Sequence, residues 1–98
     1  MFDKVKQLME MQKKMQEMKR QLENTVFDIS SSDGLVKITM NGAQEVKEVN
    51  IQGNIQETEK PNLEKAIKDA YNKAIKHSHE IAAEKMKNIT GLNLPGLI

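Results

Sequence analysis

The spacing of hydrophobic residues changes twice along these 98 residues, from a helical period to a strand period and back again. Leu8, Met11, Met15, Met18 and Leu22 step by three, four, three and four positions, the a/d spacing of a helix face that packs on a partner. From Thr25 the period becomes two: Phe27 and Ile29 face one side of a strand, Asp28 and Ser30 the other. A second strand, Leu35 to Met40, sets Val36, Ile38 and Met40 against Lys37 and Thr39. Asp33-Gly34 and Asn41-Gly42 are tight-turn dipeptides, because glycine tolerates positive φ and Asp or Asn tolerate it better than most residues. The third strand, Ala43 to Gln52, slips phase between Val46 and the pair Val49 and Ile51, which predicts a β-bulge at Lys47-Glu48. Helical spacing then returns from Pro61 to about Thr90.

The fold class expected is α+β in the order α-β-β-β-α, a three-stranded antiparallel meander flanked by two long helices. The first helix should run from about Asp3 to Glu23, rich in Gln, Lys, Glu and Met and uninterrupted by Gly or Pro. In the second, Leu63, Ile67, Ala70, Ala74, Ser78, Ile81 and Ile89 share a broad face. Within it Ala66, Ala70, Ala74 and Ser78 repeat every four residues, a ridge small enough to let another element approach closely. Gly91 can end the helix, leaving residues 91–98 as an apolar, non-helical tail.

Ninety-eight residues make one domain, near the lower limit for burying a stable core alone, so a core shared with a second copy is expected. Two Phe, one Tyr and no Trp leave that core aliphatic, Ala-rich and Met-rich. Zero cysteines remove disulfides, thiol catalysis and Cys-based metal sites. Charges from Asp3 onward break up any stretch of signal-peptide length, and no run approaches the roughly 18 apolar residues of a membrane span.

A net charge of +1 hides a segregated field. Residues 1–24 carry six Lys/Arg against Asp3, Glu10, Glu17 and Glu23; residues 25–59 carry Lys37 and Lys47 against six acids; residues 60–98 carry seven Lys against Glu64, Asp69, Glu80 and Glu84. Both helices are therefore basic and the strands acidic. Lys6, Lys13 and Arg20 recur every seven residues on the side opposite the Met seam, about 10 Å apart. Each has an acid three residues before it (Asp3, Glu10, Glu17), and such pairs are worth only ~0.2–0.5 kcal/mol, so phosphates can compete for the cations. The expected function is a small helical clamp that dimerises through Leu8, Met11, Met15, Met18 and Leu22. It presents Lys6, Lys13, Lys14 and Arg20, with Lys65, Lys68 and Lys76 of the second helix, to nucleic-acid phosphates. One Arg and few aromatics leave little means of reading bases, so backbone and shape should dominate.

Catalysis has no foothold. His77 and His79 point ~200° apart on a helix, cannot share a metal from it, and read as solvated surface. Asp69 with Lys73 and Glu64 with Lys68 read as i,i+4 helix support. Gly34, Gly42 and Gly53 lack phosphate-cradle spacing. No enzyme activity, cofactor, metal or small-molecule substrate is expected.

Leu35-Val36-Lys37-Ile38-Thr39-Met40-Asn41-Gly42 followed by Glu45-Val46-Lys47-Glu48-Val49-Asn50-Ile51 resembles the strand core of the YbaB/EbfC nucleoid-associated family. The Met/Gln/Lys-rich opening, Glu84-Lys85-Met86, Thr90-Gly91-Leu92 and Leu94-Pro95-Gly96-Leu97 are similar to that family too. The chain departs from it at Gln44, where glycine is common, at Ser31-Ser32-Asp33-Gly34 and in the loop Gln52-Gly53-Asn54-Ile55. The resemblance implies a tweezer-shaped homodimer on the nucleoid of the bacterial cytoplasm, binding duplex DNA with limited sequence preference, with no catalytic residues and no membrane partner. The alternative reading is a prefoldin-like chaperone or a protein-interaction scaffold. Prefoldin-like arms carry long heptads, whereas this seam lasts two.

Overall fold

A computed structural model describes residues 2–90, with side chains described from Asp3 to Lys87. The proposed tail 91–98 and the side chain of Ile89 lie outside the described residues. The elements are α1 (Phe2–Asn24), β1 (Val26–Ser30), β2 (Val36–Asn41), β3 (Val46–Ile51) and α2 (Lys60–Thr90), as the change of period requires. The strands form one antiparallel sheet in the order β1-β2-β3.

β2 is the centre of the core. Val36, Ile38 and Met40 are fully buried beneath Ala66, Ala70 and Ala74 of α2, with Phe27, Ile29, Leu35, Leu63 and Ile75 packed around them. The small side chains of the ridge let the helix backbone sit close to the sheet, and the element that approaches it is this chain's own strand. The ridge is therefore consumed inside the protomer. Ile67, expected on the core face, is 41% exposed, as is Tyr71 at 45%. Asp69 and Lys73 bond to Ser32 on one flank of α2, so Ile67 and Tyr71 fall on the other, toward β3.

The bulge lies in β3. Thr39 pairs with Glu48 but Met40 pairs with Val46, so Lys47 is the extra residue and Val46, Val49 and Ile51 all share the α2 side of the sheet. Nothing covers them among the described residues, and every residue of β3 is exposed.

The two turns differ. In the first, Gly34 has φ 75°, as Asp33-Gly34 demands. Asp33 accepts hydrogen bonds from Ser31 Oγ (2.6 Å) and Leu35 N (3.0 Å), which hold its carboxyl below the ordinary range. In the second, the residue at positive φ is Gln44 (65°), not Gly42. Gly42 matters for space: a Cβ there would stand 3.0 Å from Leu22 Cδ2 and 3.2 Å from both Ile81 Cγ2 and Leu22 O. Asn41 organises this turn while fully buried. Its Oδ1 accepts from Ala43 N and Glu45 N (3.0 Å each), and its Nδ2 donates to Glu23 O (3.1 Å) and Glu45 Oε1 (2.8 Å). Ser78 Oγ donates to Asn41 O (3.1 Å), and Gly42 N donates to Leu22 O (2.9 Å). The end of α1, the β2–β3 turn and the middle of α2 are thereby tied at one point. Ala43 to Glu45 wrap the Asn41 side chain instead of extending the strand, so β3 begins at Val46 rather than Ala43.

From that point α1 and α2 leave the sheet antiparallel, with Met18 beside Ala82, Ala83 and Met86. The radius of gyration is 18.3 Å, against about 13 Å for a compact domain of this length. The molecule is a sheet with helical arms, 67 Å long.

Candidate nucleic-acid interface

The a/d seam of α1 is divided by the tertiary structure. Met18 and Leu22 are buried at 8% exposure each, against α2 and the β2–β3 turn, whereas Leu8, Met11 and Met15 remain 67%, 62% and 44% exposed. From Asp3 to Glu17 every side chain of α1 is exposed, on all faces. The first four turns thus form a helical arm that touches no other part of the described chain closely enough to bury a residue.

The basic residues stand on this arm and on α2. Lys6, Lys13, Lys14 and Arg20 are all exposed on α1, and Lys65, Lys68 and Lys76 are exposed on α2. Of the three i,i+3 ion pairs read from the sequence, Glu17–Arg20 is closed, and its hydrogen bond and charge hold the Glu17 carboxyl below its ordinary range. Asp3–Lys6 and Glu10–Lys13 are not among the ion pairs of the described residues.

The outer members of the two basic sets are not brought together. Leu22 and Ile81 meet at Gly42. Measured from that level, Lys65 lies sixteen residues back along α2 over the sheet, and Lys6 sixteen residues out along α1. At ~1.5 Å per residue these are about 24 Å in opposite directions. Lys65 and Lys68 share a shallow hollow with Pro61, Asn62 and Glu64. Lys76 edges a different, apolar groove of about 450 Å³ lined by Met18, His79, Glu80, Ala82, Ala83 and Met86. Lys87, absent from the sequence-based set, is exposed on the last turns of α2, about level with Glu17 because Met18 stands beside Met86. Its place in the basic C-terminal block was visible; its nearness to the α1 arm was not.

The other titratable groups act structurally. Asp69 Oδ2 accepts from Ser32 N (2.7 Å), which with Lys73 at 3.3 Å holds its carboxyl below the ordinary range. Lys73 also donates to Ser32 Oγ (2.7 Å), so the pair clamps the first turn to α2 besides supporting the helix. Glu64–Lys68 is not among the ion pairs of the described residues. His77, read as solvated surface, is half-buried edge-on to Phe27, ring centroids 4.6 Å apart, with Nδ1 3.7 Å from Glu80. Among the described residues no three His, Asp or Glu side chains converge on a metal position, and no helix is long and apolar enough to cross a membrane.

A basic two-helix arm on a small meander is one arrangement among known DNA-binding folds, and sequence comparison decides the matter. The model of the YbaB/EbfC DNA-binding family matches residues 1–93. The chain belongs to that family. The family is a nucleoid-associated, DNA-binding one. The fold recurs in the crystal structure of an uncharacterized protein, HP0035 from Helicobacter pylori. That chain is similar at a TM-score of 0.67 and 21% identity, over 92% of both chains. This YbaB/EbfC protein has the element order α-β-β-β-α.

Proposed function

We propose that this protein binds duplex DNA as a homodimer, on the nucleoid of the bacterial cytoplasm, through phosphate and shape contacts made by its helical arms. Such binding would change DNA conformation and, through it, nucleoid organisation and gene expression. The observation that carries the reading is the arm of α1, exposed on every face from Asp3 to Glu17 while bearing apolar and basic stripes on opposite sides. A bare helix of about fifteen residues is marginal in water, so the apolar stripe needs a partner, and a second copy supplies a matching one. A second uncovered apolar face supports the same conclusion: Val46, Val49 and Ile51 of β3 with Ile67 and Tyr71 of α2. Edge strand β3 and this face can pack on their own copies across a two-fold axis.

The basic stripe is tested by changing Lys6, Lys13 and Arg20 together to Gln and titrating duplex DNA at several salt concentrations. If both subunits present the stripe, up to six phosphate contacts vanish. The slope of log K on log salt should then flatten by as much as about 5, at roughly 0.9 per contact. Loss of the helical ion pairs should cost no more than ~1 kcal/mol of stability. Lys37, Lys47 and Lys60 changed to Gln remove the same charge elsewhere. Equal weakening in both triple variants would reduce the stripe to bulk charge and withdraw the assignment. Wild-type affinity for random duplex that ignores salt would remove the phosphate mechanism altogether.

A further inference from the structure

We propose that Met11 and Met15 form an oxidation site, at which a peroxide converts their thioethers to sulfoxides and so weakens self-association and, with it, DNA binding. The inference rests on the homodimer reading above. The methionines of the described chain fall into separate environments. Met18 and Met40 are buried at 8% and 0% exposure, whereas Met9, Met11 and Met15 stand 57%, 62% and 44% exposed on the α1 arm. The chain has no cysteine, so no thiol competes for oxidant and the exposed sulfurs are thioethers alone. Met11 and Met15 are four residues apart on the apolar stripe, while Met9 lies about 200° around the helix from Met11. Met9 is thus an equally accessible sulfur on a different face.

The step is a two-electron oxygen transfer. A lone pair on Sδ attacks one oxygen of hydrogen peroxide, the S–O bond forms and the O–O bond breaks. The departing hydroxide takes up the remaining proton and leaves as water, so the sulfur is oxidised and the peroxide reduced. The sulfoxide oxygen is a strong hydrogen-bond acceptor on what had been an apolar side chain. Burying it unpaired against a second copy carries a desolvation penalty that corresponds to at least about tenfold weaker association. The change is reversible, because methionine sulfoxide reductases return each sulfoxide epimer to the thioether. Association in turn shields the sulfurs, so oxidation should slow as protein concentration rises.

The full chain is treated with hydrogen peroxide, the added oxygen is mapped by peptide mass spectrometry, and self-association and duplex binding are followed by sedimentation and titration. Oxygen is expected on Met9, Met11 and Met15 but not on Met18 or Met40, with a rise of at least about tenfold in the dimer dissociation constant, reversed by the reductases. Met11→Leu with Met15→Leu, a volume-conserving change that removes both sulfurs, is compared with itself: its dimer dissociation constant, measured first without peroxide, should not rise on treatment. Met9→Leu should give no protection. An oxidised wild-type protein with unchanged association, or one weakened equally in the double-leucine variant, overturns the proposal while leaving the homodimer standing. An untreated protein that is monomeric at every concentration overturns the homodimer and this site with it.

Discussion

Around Asn41, each buried polar side-chain atom of the described residues has a partner, while along the first four turns of α1 every side chain faces water. Between β2 and α2 the sheet end closes on itself, while its β3 side stays bare. Asn41, Ser78 and Gly42 join three segments distant in sequence, and Val36, Ile38 and Met40 fill the space beneath the alanine ridge. The arm does the reverse, keeping Leu8, Met11 and Met15 uncovered and spreading its cations beside them. Within one protein of 98 residues, the buried core is thus concentrated at one end, and the other end is a helix with no buried side chain from Asp3 to Glu17. The contrast teaches that the arm gains little stability from its own chain, since a helix gains most of its stability from tertiary packing rather than propensity.

The largest expected effect comes from placing a charge on the arm. Met15→Glu puts a carboxylate on the stripe beside Met11 and Met18, and should weaken dimerisation by several kcal/mol unless the acid protonates. The melting of the sheet end should change little, because Met15 buries nothing there. Sedimentation and melting of the same variant decide it; unchanged association would mean that the stripe faces solvent in the dimer as well. Asn41→Ala is the converse. It removes the acceptor of two backbone N–H groups and the donor to Glu23 O, and should lower protomer stability by about 2–3 kcal/mol. Denaturant unfolding at a protein concentration where association is saturated measures this, and a loss below ~1 kcal/mol would show that the turn holds without its side chain.

A smaller gain is expected at Gln44. It occupies left-handed backbone at φ 65°, so Gln44→Gly should stabilise the protomer by roughly 0.5–1 kcal/mol. No gain in denaturant midpoint would mean that the strain is already relieved. The smallest effect is on pH. Asp33 and Asp69 have carboxyl groups held below their ordinary range by hydrogen bonds at the first turn. Their folded-state depression means that their stabilisation is complete above the unfolded carboxylate range, about pH 4, and is lost as pH falls through their lower folded values. Asp33 is exposed and Asp69 half-buried, both within reach of solvent, so the loss should be modest and confined to acid. Asp69→Asn should flatten that part of the profile, whereas a wild-type profile without an acid limb would show that the clamp is energetically silent.

The local patterns were legible because they depend on neighbouring residues alone. Alternation in Val36, Ile38 and Met40 gave the buried face of β2, the slip at Val46 gave the bulge, and the four-residue ridge from Ala66 to Ser78 gave the close contact of α2. The matching family was legible too, in the strand block and the ends of both helices. What remained hidden depends on which surfaces meet across long separations. Gly42 read as a turn glycine, but its small size matters because Leu22 and Ile81 close over it, twenty and thirty-nine residues away in sequence. Ile67 fitted the core period and is exposed, because α2 sits over β1 and β2 and leaves the β3 side bare. The a/d seam looked continuous from Leu8 to Leu22, and the tertiary structure divides it at Met18, where α2 stops covering it. Sequence by itself determined the period, and hence the elements and their apolar faces, since period is a property of the local backbone. Only the tertiary structure decided which of those faces the chain spends on itself and which it leaves uncovered, since that depends on where a helix of finite length comes to rest.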